Sequence, residues 1–344
     1  MNKSLALTLV LDWEKQLSDF TFFDIGANKS YFAEGESSAF SVWYSKNGKT
    51  MLSQVLSSKV PTSIYFSGTF IELLVAEDSK IVLEIKSAIK NKQIEILGGT
   101  FHHSLSSLYN INHFIREAEW HKKLMKKTFG YQPEVFFNTQ NIYYNELVAH
   151  LKPMGYKATF TGAIDWYLTP TQSERILCSR SNNDFKLMLI SPDQGMSIFQ
   201  EEMSEIQNHF VQVDYQRLLD LGGLDNIARK AKGKASFRSI RSLLEESSSE
   251  PVYNIRQPIS GSYNSYNLED LNANPLQQSW LKQLYGLESL FSTRPEKIQK
   301  RWSELSSIAY LKRLNPNFNS VDNNASYDTY QSLINMLSDL QLGL

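Results

Sequence analysis

The chain has 344 residues, of which 42% are hydrophobic and 21% charged, so it holds enough apolar material for a large folded core. The 35 Lys and Arg residues balance 36 Asp and Glu residues, and the formal net charge is -1. That balance leaves no basic excess for a phosphate backbone and argues against a nucleic-acid partner. The single cysteine, Cys178, excludes an intrachain disulfide and a thiolate metal cluster, and it favours a reduced compartment.

The apolar run at residues 5–11 is too short to span a bilayer, and no signal-cleavage pattern follows it. We therefore expect a cytoplasmic protein with no membrane contact. The sequence does not indicate which protein, if any, is a partner.

The first 160 residues alternate strand and helix patterns. Buried or β-branched runs predict strands at residues 5–11, 61–66, 94–97, 133–138 and 157–161, and helices are predicted at 38–56, 70–90, 111–128 and 145–151. Gly130 lies where a glycine typically ends a helix. Further strands at 184–190 and 208–213 bring the total to seven. Strands spaced by helices predict an α/β fold with a parallel sheet, here an incomplete seven-stranded (β/α) barrel.

Three regions are expected along the chain. Residues 1–245 form the barrel, and residues 246–274, rich in Ser, Asn and Tyr, form an irregular connection. From 275 to 344, apolar residues recur at three- and four-residue spacing, which predicts a C-terminal helical domain packed on the barrel.

The sequence gives no support for a cofactor or a metal. Glycine doublets such as Gly98-Gly99 do not fit either phosphate-binding motif. His113 and His121 are eight positions apart on one predicted helix, so their side chains point about 80° apart, a poor geometry for one ion.

Polar side chains follow several predicted strands. Asp12, Trp13 and Glu14 follow the first strand, His102 and His103 follow the third, and an Asn-Thr-Gln-Asn run starting at residue 138 follows the fourth. Parallel α/β folds place their sites at this end of the strands, so these groups are expected to share one face.

These positions also carry a family resemblance. The chain resembles glycoside hydrolase family 57, specifically its α-amylase-type members, in segments that run in family order: FFDIG (22–26), SGTFIELL (67–74), IEILGGTFHHSL (94–105), PEVFFNTQNIYYNEL (133–147), LQQSWLKQLYGLE (276–288) and SYDTYQSLINMLSDL (326–340). The resemblance implies a seven-stranded incomplete barrel followed by helices. It also implies α-glucan substrates such as starch, glycogen or maltooligosaccharides, cleaved with retention of configuration.

Several residues depart from the family pattern. The family nucleophile is the Glu of an Asn-Thr-Glu run, and Gln140 stands at that position. The candidate for the acid/base aspartate is Asp214, where the glutamate two residues later has become Gln216. The His-Gln-Pro run after strand one is replaced by Asp12-Trp13-Glu14, and an Asp-His pair in the helical domain by Ala309-Tyr310. The histidine after strand three is kept as His103.

Three hypotheses remain open. Retaining hydrolysis needs two carboxylates, and an amide at Gln140 is a poor nucleophile, so a homologue without normal activity that still binds α-glucan is favoured. An active hydrolase or transferase with Asp214 as acid/base and Asp12 or Glu14 recruited is the second, and a non-catalytic protein-interaction scaffold is the third. For glucan binding, His103 and Asp12 would contact sugar hydroxyls, and Trp13 and Trp166 would stack on glucose rings.

Overall fold

The computed structural model describes residues 3–163, 176–190, 208–247, 251–261, 267–318 and 324–343. Its strands are β1 (Lys3–Leu11), β2 (Thr62–Phe66), β3 (Ile94–Ile96), β4 (Val135–Phe136), β5 (Ala158–Thr161), β6 (Ile176–Ser179), β7 (Asn182–Leu189), β8 (Asn208–Asp214), β9 (Ala235–Phe237) and β10 (Val252–Tyr253).

Seven of these strands form a ring of parallel neighbours. One sheet runs in the order β3-β2-β1-β8, and the second contains β4-β5-β7. Single parallel bridges join the two sheets, Gly98 with Phe136 on one side and Ile190 with Phe210 on the other. The order β1-β2-β3-β4-β5-β7-β8 therefore returns to β1. This confirms the predicted α/β barrel of seven parallel strands.

Three short strands were not predicted. β6 pairs antiparallel with β7, β10 extends the same sheet from β6, and β9 pairs with the start of β1. β10 lies in the region that we expected to be irregular. Strands of two to four residues give no periodic signal, and their pairing depends on partners distant in sequence.

The helices around the barrel are α1 (Glu36–Trp43), α2 (Lys49–Ser57), α3 (Gly68–Glu77), α4 (Ser79–Lys90), α5 (Ser106–Tyr109), α6 (Ile111–Phe129), α7 (Leu147–Leu151), α8 (Tyr215–Asp220), α9 (Gly223–Ala231) and α10 (Ile240–Glu246). α6 ends at Gly130 in the left-handed conformation, as predicted. The single helix predicted at 70–90 is wrong, because Asp78 ends α3 and its carboxylate caps the start of α4. The helix predicted at 38–56 is interrupted by a π-helical turn, Tyr44–Gly48.

The C-terminal helices are α11 (Pro275–Gly286), α12 (Glu288–Phe291), α13 (Glu296–Glu304), α14 (Ile308–Arg313) and α15 (Ala325–Leu342). They share a hydrophobic cluster that includes the fully buried Trp280 and Trp302. This cluster meets the barrel at the loop after β3, where Ser104 pairs with Ser307 and the Ile308 N–H donates to the His103 carbonyl.

The side chains of β1 point alternately into two hydrophobic cores. Leu5, Leu7 and Leu9 pack outward against the surrounding helices, whereas Ala6 and Val10 belong to the cluster that fills the barrel interior. Side chains of a strand point alternately to its two faces, so β1 serves both cores at once.

Gly98 and Gly99 allow the barrel to close. A Cβ on Gly99 would lie 2.3 Å from the Tyr65 ring and 2.9 Å from the Phe137 carbonyl oxygen, and one on Gly98 would lie 2.4 Å from the Tyr156 ring. The ends of β3 and β4 can approach closely only because these two residues have no side chain.

Candidate functional site

A cavity of about 340 Å³ lies at the carboxyl ends of β1 and β8. Its lining comes from both ends of the chain: Val10, Leu11, Asp12, Trp13, Glu14, Trp43, Phe70, His103, Asp214, Tyr215, Gln216 and Lys312. Lys312 belongs to α14, so the C-terminal helices form part of the wall. Of the polar groups expected to share this face, Asp12, Glu14 and His103 line the cavity together with Asp214, whereas His102 and the run at 138–141 do not belong to its described lining.

Asp12 is held by His103. The Asp12 Oδ2 atom lies 3.0 Å from His103 Nδ1, and the Asp12 side chain is 17% exposed. Burial alone would raise the pKa of this carboxyl. Hydrogen bonds from His103 and Ser67 and the charge of Lys312 outweigh burial and lower the pKa. Asp12 is therefore an ionised carboxylate in the cavity at neutral pH.

Asp214 caps a helix and also lines the cavity. It ends β8, and its Oδ1 accepts a hydrogen bond of 2.7 Å from the Arg217 N–H, which caps α8. In the sheet it stands opposite Val10, two residues before Asp12. Two carboxylates from adjacent strands therefore line the same cavity, and Glu14 adds a third, paired with Lys312 at 3.3 Å.

Aromatic rings form the other wall. The Trp43 ring lies 5.5 Å from Trp13 and 5.3 Å from Tyr215, measured between centroids. All three side chains are half-buried and line the cavity. Sequence reasoning found Trp13 but missed Trp43 and Tyr215. Trp43 lies inside a predicted helix about 30 residues from β1, and nothing in the local pattern points it toward the strand ends.

Gln140 is enclosed at the end of β4. Its side chain has no solvent exposure, and neither amide atom has a hydrogen-bond partner among the described residues. Its backbone is left-handed, with φ 53°, and its carbonyl accepts a hydrogen bond of 2.9 Å from the Gly261 N–H. Within the part of the chain that the structure describes, the cavity lining does not include Gln140.

The neighbouring histidines have other roles. His102 Nδ1 lies 3.0 Å from the buried Glu117 carboxylate, which Ser303 Oγ also reaches at 2.9 Å. His121 donates from Nε2 to the Phe66 carbonyl and accepts from the Gly99 N–H. Burial lowers the pKa of His113 and of His121 to about 4.

The residues that replace the Asp-His pair lie in the helical domain. Ala309 and Tyr310 are buried in the helical cluster, and the Tyr310 hydroxyl donates to the Lys15 carbonyl at 3.2 Å. Trp166 lies outside the described residues.

The described residues offer neither a metal site nor a membrane span. They contain no group of three His, Cys, Asp or Glu residues that could hold a metal ion. In the same part of the chain, no helix has the length and hydropathy needed to cross a membrane.

A family model and a relative of known sequence both match this chain. The model described as glycosyl hydrolase family 57 matches residues 5–199. A putative alpha-amylase from Methanocaldococcus jannaschii is 35% identical over 133 residues, which are 38% of this chain and 26% of that relative. The chain thus matches about a quarter of this curated relative's length.

Solved structures share the fold. A 4-alpha-glucanotransferase from Thermococcus litoralis has a TM-score of 0.68 at 12% identity, covering 100% of this chain and 60% of the other. A GH57-type branching enzyme from Pyrococcus horikoshii has a TM-score of 0.69 at 8% identity, covering 96% and 88%. Since the family model covers more than half of the chain, and these barrels share its fold, the chain belongs to glycosyl hydrolase family 57.

Proposed function

We propose that this chain binds α-glucan oligosaccharides in the cavity at the ends of β1 and β8 and does not hydrolyse them by the retaining mechanism. The observation that carries the proposal is Gln140. It stands where the resemblance assigns the nucleophile, and it is a buried amide outside the described cavity lining. A neutral amide neither attacks an anomeric carbon efficiently nor stabilises an oxocarbenium-like charge.

The cavity walls support glucan binding. Sugar rings have apolar faces that stack on aromatic side chains, and Trp13, Trp43 and Tyr215 offer such rings on one wall. Hydroxyl groups need donors and acceptors, and Asp12, His103 and Asp214 supply them on the other side. Relatives named as an alpha-amylase and a 4-alpha-glucanotransferase indicate the same substrate class.

A second candidate function rests on the paired aspartates. Asp12 and Asp214 line one cavity from adjacent strands, and the ionised Asp12 carboxylate is able to accept a proton from water. An inverting hydrolase uses two carboxyl groups about 6.5–9.5 Å apart with a water between them. In that case Asp214 would protonate the departing oxygen.

One experiment separates these functions. Maltoheptaose binding by calorimetry and product release over a long incubation are measured for wild type, Gln140→Glu and Asp214→Asn. Gln54→Glu is the matched control, because it makes the same chemical change on an exposed position of α2. We expect wild type to bind without turnover, and we expect Gln140→Glu to gain none, because residue 140 is buried outside the described cavity lining. Turnover by Gln140→Glu that Gln54→Glu lacks would instead mean that residue 140 reaches the bound glucan.

Two other outcomes would overturn the proposal. Turnover by wild type that Asp214→Asn abolishes would replace the proposal with the second candidate. An absence of binding in every variant would overturn glucan binding itself and direct attention to protein partners.

A further inference from the structure

A second cavity of about 330 Å³ adjoins the loop after β3 and shares no described lining residue with the candidate site. Four basic side chains line it, from Lys15 before the first helix and from Lys297, Lys300 and Arg301 on α13, against the two carboxylates of Glu72 and Glu304. Basic groups from two segments far apart in sequence therefore converge on one concave surface.

The pairing of these charges leaves part of the positive charge uncompensated. Lys15 pairs with Glu304, and Lys300 lies 3.2 Å from Glu296. Lys297 and Arg301 are exposed, and among the described residues neither has a carboxylate within ion-pair distance. These two cations exceed the one remaining carboxylate of the lining, Glu72, by one positive charge, which favours an anionic ligand.

His102 adds a buried polar group to the same cavity. It is 6% exposed and lines the cavity, and its Nδ1 donates to the fully buried Glu117 carboxylate. Burial works to raise the pKa of Glu117, but hydrogen bonds from His102 and Ser104 and the charges of His113 and His102 outweigh it. The pKa falls to about 2. An ionised Glu117 fixes the proton of His102 on Nδ1, so the opposite ring nitrogen, Nε2, is an acceptor and suits the P–O–H group of a singly protonated phosphate.

Aromatic side chains complete the walls. Arg301 lies over the Tyr31 ring at 4.4 Å, and Lys300 lies 5.5 Å from the Phe101 ring centroid. These contacts orient the cations, and the partly exposed Phe32 in the lining offers apolar surface for an organic group attached to the anion.

We propose that this cavity binds a phosphate group, either as the free ion or as a phosphate monoester, between Lys297, Arg301 and His102. A phosphate carries close to two negative charges and three strong acceptor oxygens, which matches several converging cations better than a single carboxylate does. The planar guanidinium of Arg301 can donate two parallel hydrogen bonds to such a group.

Calorimetry on the full chain tests this site with inorganic phosphate and with glucose 6-phosphate, and glucose serves as the uncharged comparison. The test variant is the double substitution Lys297→Gln with Arg301→Gln. The matched control is Lys123→Gln with Lys126→Gln, which removes two exposed charges from another cavity, on α6. We expect saturable binding to wild type and control, and at least a tenfold higher Kd in the test variant.

The two ligands distinguish free phosphate from a phosphate monoester as the natural occupant. Equal affinities indicate a pocket for the free ion, and tighter binding of the sugar phosphate indicates that Phe32 and the neighbouring lining hold the organic group. No saturable heat with either anion, or equal weakening in test and control variants, overturns the proposal.

A single charge reversal tests the same site in a variant that is expected to keep the fold. Lys297→Glu changes an exposed side chain and leaves Arg301 on Tyr31, so the fold is expected to survive. Unchanged phosphate affinity in this variant would also overturn the proposal.

Discussion

At the scale of single residues, the ends of β3 and β4 hold three non-glycine residues in the left-handed backbone region. These are His103, Gln140 and Asn141, with φ of 53°, 53° and 49°. Such conformations cost of order 1–3 kcal/mol each and persist where surrounding contacts fix them. His103 is bonded to Asp12, and the Asn141 amide exchanges hydrogen bonds of 2.7 and 2.9 Å with Gln212 on β8. Contacts across the barrel therefore fix the orientation of the His103 and Asn141 side chains.

The buried Glu117 gives a prediction about pH. Its folded pKa of about 2 lies below the ordinary value of 4.5. Its contribution to stability is therefore complete above about pH 4.5 and is lost as the pH falls toward 2. A shift of this size corresponds to something on the order of 3 kcal/mol. We expect Glu117→Gln to be less stable than wild type at neutral pH, with the difference shrinking in acid.

Urea unfolding followed at several pH values checks this. The control is Glu119→Gln, an exposed residue on the same helix, which should leave both the stability and its pH dependence near those of wild type. A constant difference between wild type and Glu117→Gln down to about pH 3 would contradict the assignment.

At the scale of elements, a π-helical turn, Tyr44–Gly48, directly follows Trp43 and brings Gly48 against its ring. A π turn inserts an extra residue into a helix and is frequent at functional sites. Gly48 packs against the Trp43 ring, and a Cβ there would lie 2.6 Å from the ring. The turn and the glycine together allow Trp43 to reach the cavity beside Trp13.

Gly48→Ala is expected to displace the Trp43 ring and to lower maltoheptaose affinity several-fold, because the stacking surface moves. Calorimetry measures the affinity, and tryptophan fluorescence reports the ring environment. Gly286→Ala is the control, since a Cβ on that helical residue meets nothing within 4 Å. If both variants bind like wild type, Trp43 is not part of the binding surface.

At the scale of the whole molecule, the barrel closes through two single bridges. Gly98 with Phe136 and Ile190 with Phe210 join sheets that otherwise pair through full ladders. The C-terminal helices reinforce the first junction, because Ser303 on α13 reaches Glu117 on α6 and the Ile308 N–H reaches the His103 carbonyl. The cavity depends on this assembly, since its lining comes from strands, loops and α14.

Gly99→Ala is expected to reduce the free energy of unfolding by about 1–3 kcal/mol, because the new Cβ would meet the Phe137 carbonyl, which belongs to the backbone and cannot rotate away. Thermal and urea unfolding measure the loss. A stability equal to wild type would mean that the two strand ends separate without cost, contrary to a closed barrel.

The sequence by itself determined the local elements. The apolar run of β1, the alternation of strands and helices, and the left-handed Gly130 after α6 each follow from periodicity or backbone preference over a few residues. The placement of Asp12 and His103 near strand ends also followed, because parallel strands share one carboxyl edge, whereas Asp214 was identified through the family resemblance.

Tertiary structure alone decided the rest. The approach of Trp43 to Trp13, the burial of Gln140, the Glu117 cluster and the pairing of β10 with β6 join residues 30 to about 200 positions apart. Local propensity carries no information on such distances. Only the packing of the complete barrel and helices selects these contacts, through the free energy of burying and pairing the side chains together.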